Sequence, residues 1–382
     1  MSHGDHSSSQ LAVAEATPAA LPTLPAAAPT ALGATPASAV PRVPAAVPVI
    51  RWYRCPIARE DMKQVLSRSD LCATLQTFGY LATITATGAA TIWASMSHRW
   101  WWAALPLLFV HGTCMNFLIN AVHELGHETV FTSRRLNRFM AGVFAFPGWI
   151  NHLHFAESHG RHHRYTLHAP ADLEVTLPIT VRWSDFWKCA FLNTGWLRWT
   201  VQSAVQTARG TLPGDWNKIM FPEEEPEKRR PLMRWARFLI AGHLAVLALS
   251  LYMHWWMVPL VVSVAPMFGS WLHWLCNNTQ HVGMVEEVPD ARLCCRTFLV
   301  AAPVQFLYWH MNYHVEHHMF AAVPCYRLGR LNRLMRADCP PAPDGLRATW
   351  REIMAIMRLQ AEDTSYRQQV PLPASAPPTT IP

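Results

Sequence analysis

"WWWAALPLLFVHGTCMNFLINAVHELGH", residues 100–127, is an apolar run that ends in two histidines. From Trp100 to Val122 it contains no Asp, Glu, Lys or Arg, and about 20 such residues cross the hydrocarbon of a bilayer as a helix. Its last five residues read in two ways. As His-Glu-x-x-His, His123 and His127 would bind one zinc ion and Glu124 would be the general base of a metalloprotease. As His-x-x-x-His, they would be one of several histidine groups around a pair of metal ions. The rest of the chain has to decide between them.

Upstream, Leu71 to Met96 is a second apolar run, separated from the first by Arg99. Downstream, Phe238 to Val285 carries no charged side chain other than histidine and is interrupted at "MHWWMVP", residues 253–259, by tryptophans and Pro259. Each half is long enough to span, so the pattern predicts an all-α membrane protein with four transmembrane helices in two hairpins. Composition agrees. Charged residues make up 15% of the 382 and there are 18 tryptophans, against about 25% charged residues in an average soluble chain. The net charge of +7 lies in blocks beside the apolar runs, where it would meet anionic headgroups, so it speaks for membrane lipids and not for nucleic acid.

Those blocks set the orientation. Arg51, Arg54, Arg59, Lys63 and Arg68 precede the first hairpin, Arg134, Arg135 and Arg138 follow it, and Lys228, Arg229, Arg230, Arg234 and Arg237 precede the second. The positive-inside rule then places the termini and the long central segment in the cytoplasm. Two central stretches, residues 139–150 and 183–206, are apolar but short or broken by charge, and are expected to lie in the interface. Residues 1–50, rich in Ala and Pro, are expected to form a disordered tail, 51–365 the membrane domain, and 366–382 a second tail.

Three histidine groups share one side of this topology. His123 and His127 end the second span; "ESHGRHH" gives His159, His162 and His163; "NYHVEHH", after the fourth span, gives His314, His317 and His318. Residues three and four apart share one helix face, so each group can aim its imidazoles at one place. The fourth span ends in "NNTQH", where Asn277 and His281 are again four apart and offer an amide, acting through water, and a ninth imidazole. A zinc protease site uses about three protein ligands and would leave six histidines without work. Eight or nine neutral imidazoles fit two metal ions in a cytoplasmic helical cap, though spacing does not name the metal. His111, His152, His154, His243, His254 and His273 read as packing residues. Glu124, Glu157, Glu316 and Asp172 stand in or beside the groups as candidates to hold imidazole N–H groups.

The nine cysteines include no C-x-x-C pair, which argues against a disulfide framework or zinc ribbon. Adjacent Cys294 and Cys295 are a poor pair for chelating one structural metal.

HELGH, ESHGRHH with the following "RYTLHAPADLE", NNTQH and "NYHVEHHMFAAVP" resemble the membrane-bound fatty acid desaturase and hydroxylase superfamily over roughly residues 70–335, nearest to bacterial-type desaturases and hydrocarbon oxygenases. The chain departs from many relatives at Leu173, where they have proline between the two carboxylates, and at Ala321-Ala322 after the third group. The resemblance implies a non-haem centre of two Fe ions, O2 as co-substrate, and a lipid or alkyl substrate. It makes His123, His127, His159, His162, His163, His314, His317 and His318 catalytic metal ligands, with His281 and Asn277 completing the set. The expected reaction is desaturation of a fatty-acyl or related lipid chain. Hydroxylation on the same centre is the alternative, and a HExxH intramembrane metalloprotease a distant one. With no His-Pro-Gly-Gly signature and no cysteine cluster, the electrons are expected from a separate ferredoxin or cytochrome-type donor.

Overall fold

The structure, a computed structural model, describes residues 49–377. Among the described residues it is all helical, with two isolated β-bridges and no strand. The Ala/Pro-rich stretch 1–50 lies outside the described residues except for its last two. Residues 366–377 form no helix but lie against the domain: Gln368 N donates to Gly283 O (2.7 Å) and accepts at Oε1 from Arg296 (2.8 Å).

Helix α1 (Asp70–Met96) begins at Ser69, whose hydroxyl accepts from Cys72 N, and runs for 27 residues. Arg99 and the tryptophans at 100–102 mark the turn, after which α2 (Ala104–Met115) and α3 (Leu118–Gly126) follow nearly without interruption. Among the described residues, two helical stretches are long and apolar enough to cross a membrane: Trp101–Gly126 and Pro226–Tyr252, the latter being α7, each with mean hydropathy 1.5. α1 matches them in length but carries six threonines and Gln76, which lowers its hydropathy. The fourth expected span is not one helix. It comprises an apolar helical stretch, Met257–Met267, containing a π-turn at Leu260–Val264, then a break at Phe268-Gly269, then α8 (Trp271–Asn277). Expected as continuous, it is broken where Pro266 lacks the amide hydrogen a regular helix needs and Gly269 adopts a positive φ of 65°.

A broken helix in an apolar layer must have its freed carbonyls satisfied by protein, and three side chains from two other segments do this. His111 Nε2 bonds Val261 O (3.1 Å) while the Thr87 hydroxyl meets its Nδ1 (2.8 Å), an arrangement a neutral imidazole satisfies. Trp149 Nε1 donates to Ser263 O (2.9 Å), and Asn116 Nδ2 donates to Phe268 O (2.9 Å). Gly112 lets the backbones approach: a Cβ there would sit 2.5 Å from Phe268 O and 2.6 Å from Ala265 O. His243, stacked between Phe146 and Trp149, bonds Ser263 Oγ (2.7 Å). His111 and His243 therefore have packing roles, as their isolation in the sequence implies.

Between the long helices lie α4 (Arg134–Ala145), α5 (His152–Tyr165) and α6 (Thr194–Ala208); α9 (His314–Met319), α10 (Leu328–Met335) and α11 (Gly345–Glu362) close the chain. The main core, including Tyr80, Phe117, Phe144, Tyr308 and Trp309, joins α1, α3 and α4 to the segment before α9. Tyr80 also ties α1 to α2 by donating to Cys114 O (2.8 Å).

Candidate metal centre

His123 stands on the last turn of α3, and His127 is its C-cap. Asn151 caps α5 by accepting from His154 N, and the helix then carries His159, His162 and His163 on its inner face. α9 begins at His314 and carries His317 and His318. His281 lies four residues beyond the last residue of α8. The helix ends at Asn277 because Asn278 Nδ2 and Thr279 Oγ1 take the Trp274 and Cys276 carbonyls.

These four segments converge. His123, His127, His159, His163 and His317 form one group, and His281, His314, His318 and Cys295 a second; within each, the donor atoms lie within 4.8 Å of one another. His162 borders the second group, its ring 5.3 Å from that of His281 and 5.0 Å from that of His318. Rings of His163 and His318, 4.3 Å apart, join the two groups.

Hydrogen bonds fix which nitrogen of each ring is free. Nδ1 of His123 bonds Glu124 Oε1 (3.0 Å), that of His159 bonds Glu174 Oε1 (2.8 Å), and that of His162 bonds Asp172 Oδ2 (2.7 Å). His281 Nδ1 donates to Cys294 O (2.8 Å). Thr166 spends its hydroxyl hydrogen on His162 O (2.8 Å), so His318 Nδ1–H is the donor in the 3.1 Å contact with Thr166 Oγ1. In all five rings Nδ1 carries the proton and Nε2 presents a lone pair. An outer hydrogen bond of this kind sets the tautomer and direction of a ligating imidazole.

The free nitrogens support metal binding. Nε2 of His123, His127, His159 and His318, four nitrogens in the two groups, are buried with no hydrogen-bond partner among the described residues. So many orphaned polar atoms together would cost several kcal/mol unless a ligand met them. Two contacts pair Nε2 with Nε2, His314 with His281 at 2.9 Å and His317 with His163 at 3.0 Å. Two nitrogens at right angles on one ion, with bonds of about 2.1 Å, stand about 3.0 Å apart. Charge also fits. Burial, then mutual repulsion, holds His159, His163, His314, His317 and His318 well below the ordinary imidazole range, and burial takes His127 to about 4 and His281 to about 3. They are neutral donors at physiological pH. At His162 burial acts the same way, but the Asp172 carboxylate outweighs it and raises the ring's pKa.

Of the four carboxylates picked from the sequence, Glu124 and Asp172 touch imidazoles. Glu316 instead accepts from Thr297 Oγ1 and Asn332 Nδ2 (both 2.6 Å), and Glu157 is exposed. Glu157 is two residues from His159, which puts it on another side of the helix. Sequence reasoning did not assign Glu174, Thr166 or Cys295 to the site. The only signal for Glu174 was a carboxylate two residues past Asp172. Asp172 also accepts from Leu167 N and Glu174 N (3.0 Å each), which fixes the loop after α5. Asp172→Asn is expected to lower metal affinity about 10- to 100-fold while leaving the helical content unchanged. Titration with a competing chelator, beside circular dichroism, checks this; unaltered affinity would mean that Asp172 only shapes the loop.

A family model described as fatty acid desaturase matches residues 99–350. The chain is also 23% identical over 242 residues to the sphingolipid delta(4)-desaturase DES1-like protein of Oryza sativa subsp. japonica, an alignment covering 61% of this chain and 65% of that protein. The chain thus spans about 65% of the length of this curated relative.

Proposed function

We propose, from the premise that the chain belongs to the fatty acid desaturase family, that it is a membrane-bound oxidoreductase that removes hydrogen from a lipid chain. The observation that carries this reading is the set of nine imidazoles, His123, His127, His159, His162, His163, His281, His314, His317 and His318, gathered from four segments into two adjoining groups. We assign the first group to one iron ion and the second, with His162, to the other. Such a centre, with O2 and two electrons from a separate donor, supplies the oxidising power for an unactivated C–H bond that no side chain has.

The chain's own residues do the rest. Glu124, Asp172, Glu174, Thr166 and the Cys294 carbonyl keep the Nδ1 protons away from the metals and aim the rings. Glu124 is 1% exposed and accepts from His123, the position of an orienting group and not of a base that activates water, which speaks against a metalloprotease. We read α1 and the broken segment 257–277 as the two further spans, and the arginine-rich segments support a cytoplasmic side for both histidine groups, within reach of a ferredoxin or cytochrome.

The relative's name favours desaturation, and a long-chain amide-linked lipid joins fatty-acyl esters as a candidate substrate. Detergent-purified protein expressed with iron and zinc both available is expected to contain two irons per chain, and the reconstituted enzyme to yield products lighter by two hydrogens. Products heavier by one oxygen would identify a hydroxylase. One zinc, retained in a His162→Ala variant, would defeat the reading.

A further inference from the structure

The second histidine group contains a donor that the nine imidazoles do not account for. Cys295 is buried, and its sulfur lies within 4.8 Å of donor nitrogens of His281, His314 and His318. Ligands on one ion, with bonds of about 2.1 Å to nitrogen and 2.3 Å to sulfur, can be at most about 4.4 Å apart, close to the spread of these four donors.

The backbone around Cys295 is tied to both elements that carry those histidines. Asp290 caps the short helix Ala291–Cys294 by accepting from Arg292 N (2.9 Å), and Cys295 follows in an extended conformation. The Cys294 carbonyl holds His281. Arg296 N donates to Gln280 O (2.9 Å), and the Arg296 guanidinium donates to Thr279 O (2.7 Å) and Val282 O (3.1 Å), the two sides of the His281 turn. Thr297 Oγ1 accepts from Val315 N (3.1 Å), beside His314. Cys295 is thus the middle residue of a segment pinned on one side to the His281 turn and on the other to α9. Cys294, the neighbour whose sulfur lies 3.7 Å away, is not in the group.

The geometry points to Cys295 as a thiolate ligand of the second metal ion. This rests on the two-metal reading. With His162 the second group supplies four imidazoles, and Cys295 makes five donors, equal in number to the first group but different in kind. On ligation the S–H bond breaks, a sulfur–metal bond forms and the proton leaves to solvent, so one positive charge at the site is neutralised. A thiolate favours softer ions such as zinc, which makes the two positions unequal in metal preference.

X-ray absorption at the zinc edge of the full chain, loaded with zinc in detergent, tests this. Zinc–nitrogen and zinc–sulfur shells differ, at about 2.0–2.1 Å and 2.3 Å. The expected result is two zinc ions per chain, one of them with a sulfur ligand, with the sulfur shell kept in Cys294→Ser and lost in Cys295→Ser. Two zincs with no sulfur shell in the unaltered protein would overturn the thiolate and leave the two-metal reading standing, and this needs no variant to fold. A sulfur shell surviving in Cys295→Ser would also overturn it. A chain that takes up no zinc would overturn both.

Discussion

His317→Ala is expected to lose the metal of the first histidine group and, with it, more than about 100-fold in turnover, exceeding the 10- to 100-fold effect of removing an outer hydrogen-bond partner. His317 is fully buried, and its ring lies 4.7 Å from those of His123 and His163 and 4.9 Å from that of His127. Its Nδ1 is also 3.6 Å from the Glu124 carboxylate that orients His123. One substitution therefore removes a donor and disturbs the partner of another. His273→Ala is the matched control. His273 is as deeply buried, but its Nε2 bonds Asn120 Oδ1 (3.1 Å) and its ring packs on Phe117, so the variant should lose stability and keep both metals. Metal content by mass spectrometry and product formation separate the two. Full metal content in His317→Ala would remove His317 from the site.

This contrast shows which parts of the site are legible in a sequence. His159, His162 and His163, like His314, His317 and His318, are readable because three- and four-residue spacing on a helix is a local geometric fact. Their common side is an expectation from counting apolar runs. His281 could be nominated but not positioned, because its direction depends on the Cys294 carbonyl thirteen residues away and on a helix that stops at Asn277. Glu174 and Cys295 depend in the same way on how loops return to the centre. Glu157 was an attractive reading because it is adjacent in sequence, and helix rotation turns it away. The spans show a similar division. Trp101–Gly126 and Pro226–Tyr252 follow from composition. The break at 268–269 depends on side chains from other segments, His111, Asn116 and Trp149, accepting a role no pattern announces. Residues 366–377 look like a tail by composition, yet Arg296 and Gly283 provide partners for Gln368 that only the folded chain brings near.

Arg292→Met is expected to destabilise the folded domain by about 3–5 kcal/mol, the usual cost of removing one member of a buried ion pair. The Arg292 side chain is fully buried; it meets Asp290 Oδ2 at 2.8 Å and Asp338 Oδ1 at 3.1 Å, donates to Pro377 O at 3.2 Å, and stacks 3.7 Å above the Tyr53 ring. Tyr53 in turn donates to Asp338 Oδ2 (2.8 Å). Four segments distant in sequence thus meet at one guanidinium, and without it two carboxylates lose their cation. The cost should come mainly from those carboxylates. Neutralising them as well, in Arg292→Met with Asp290→Asn and Asp338→Asn, is therefore expected to recover much of the loss. Because Arg292 belongs to the segment that presents Cys294 O to His281, the single variant should release the second metal at lower temperature than the first. Thermal unfolding in detergent, followed together with metal release, measures both effects. A loss below about 1 kcal/mol, the range of an exposed pair, would mean that the four segments are held together by apolar packing and that Arg292 only fills space among them.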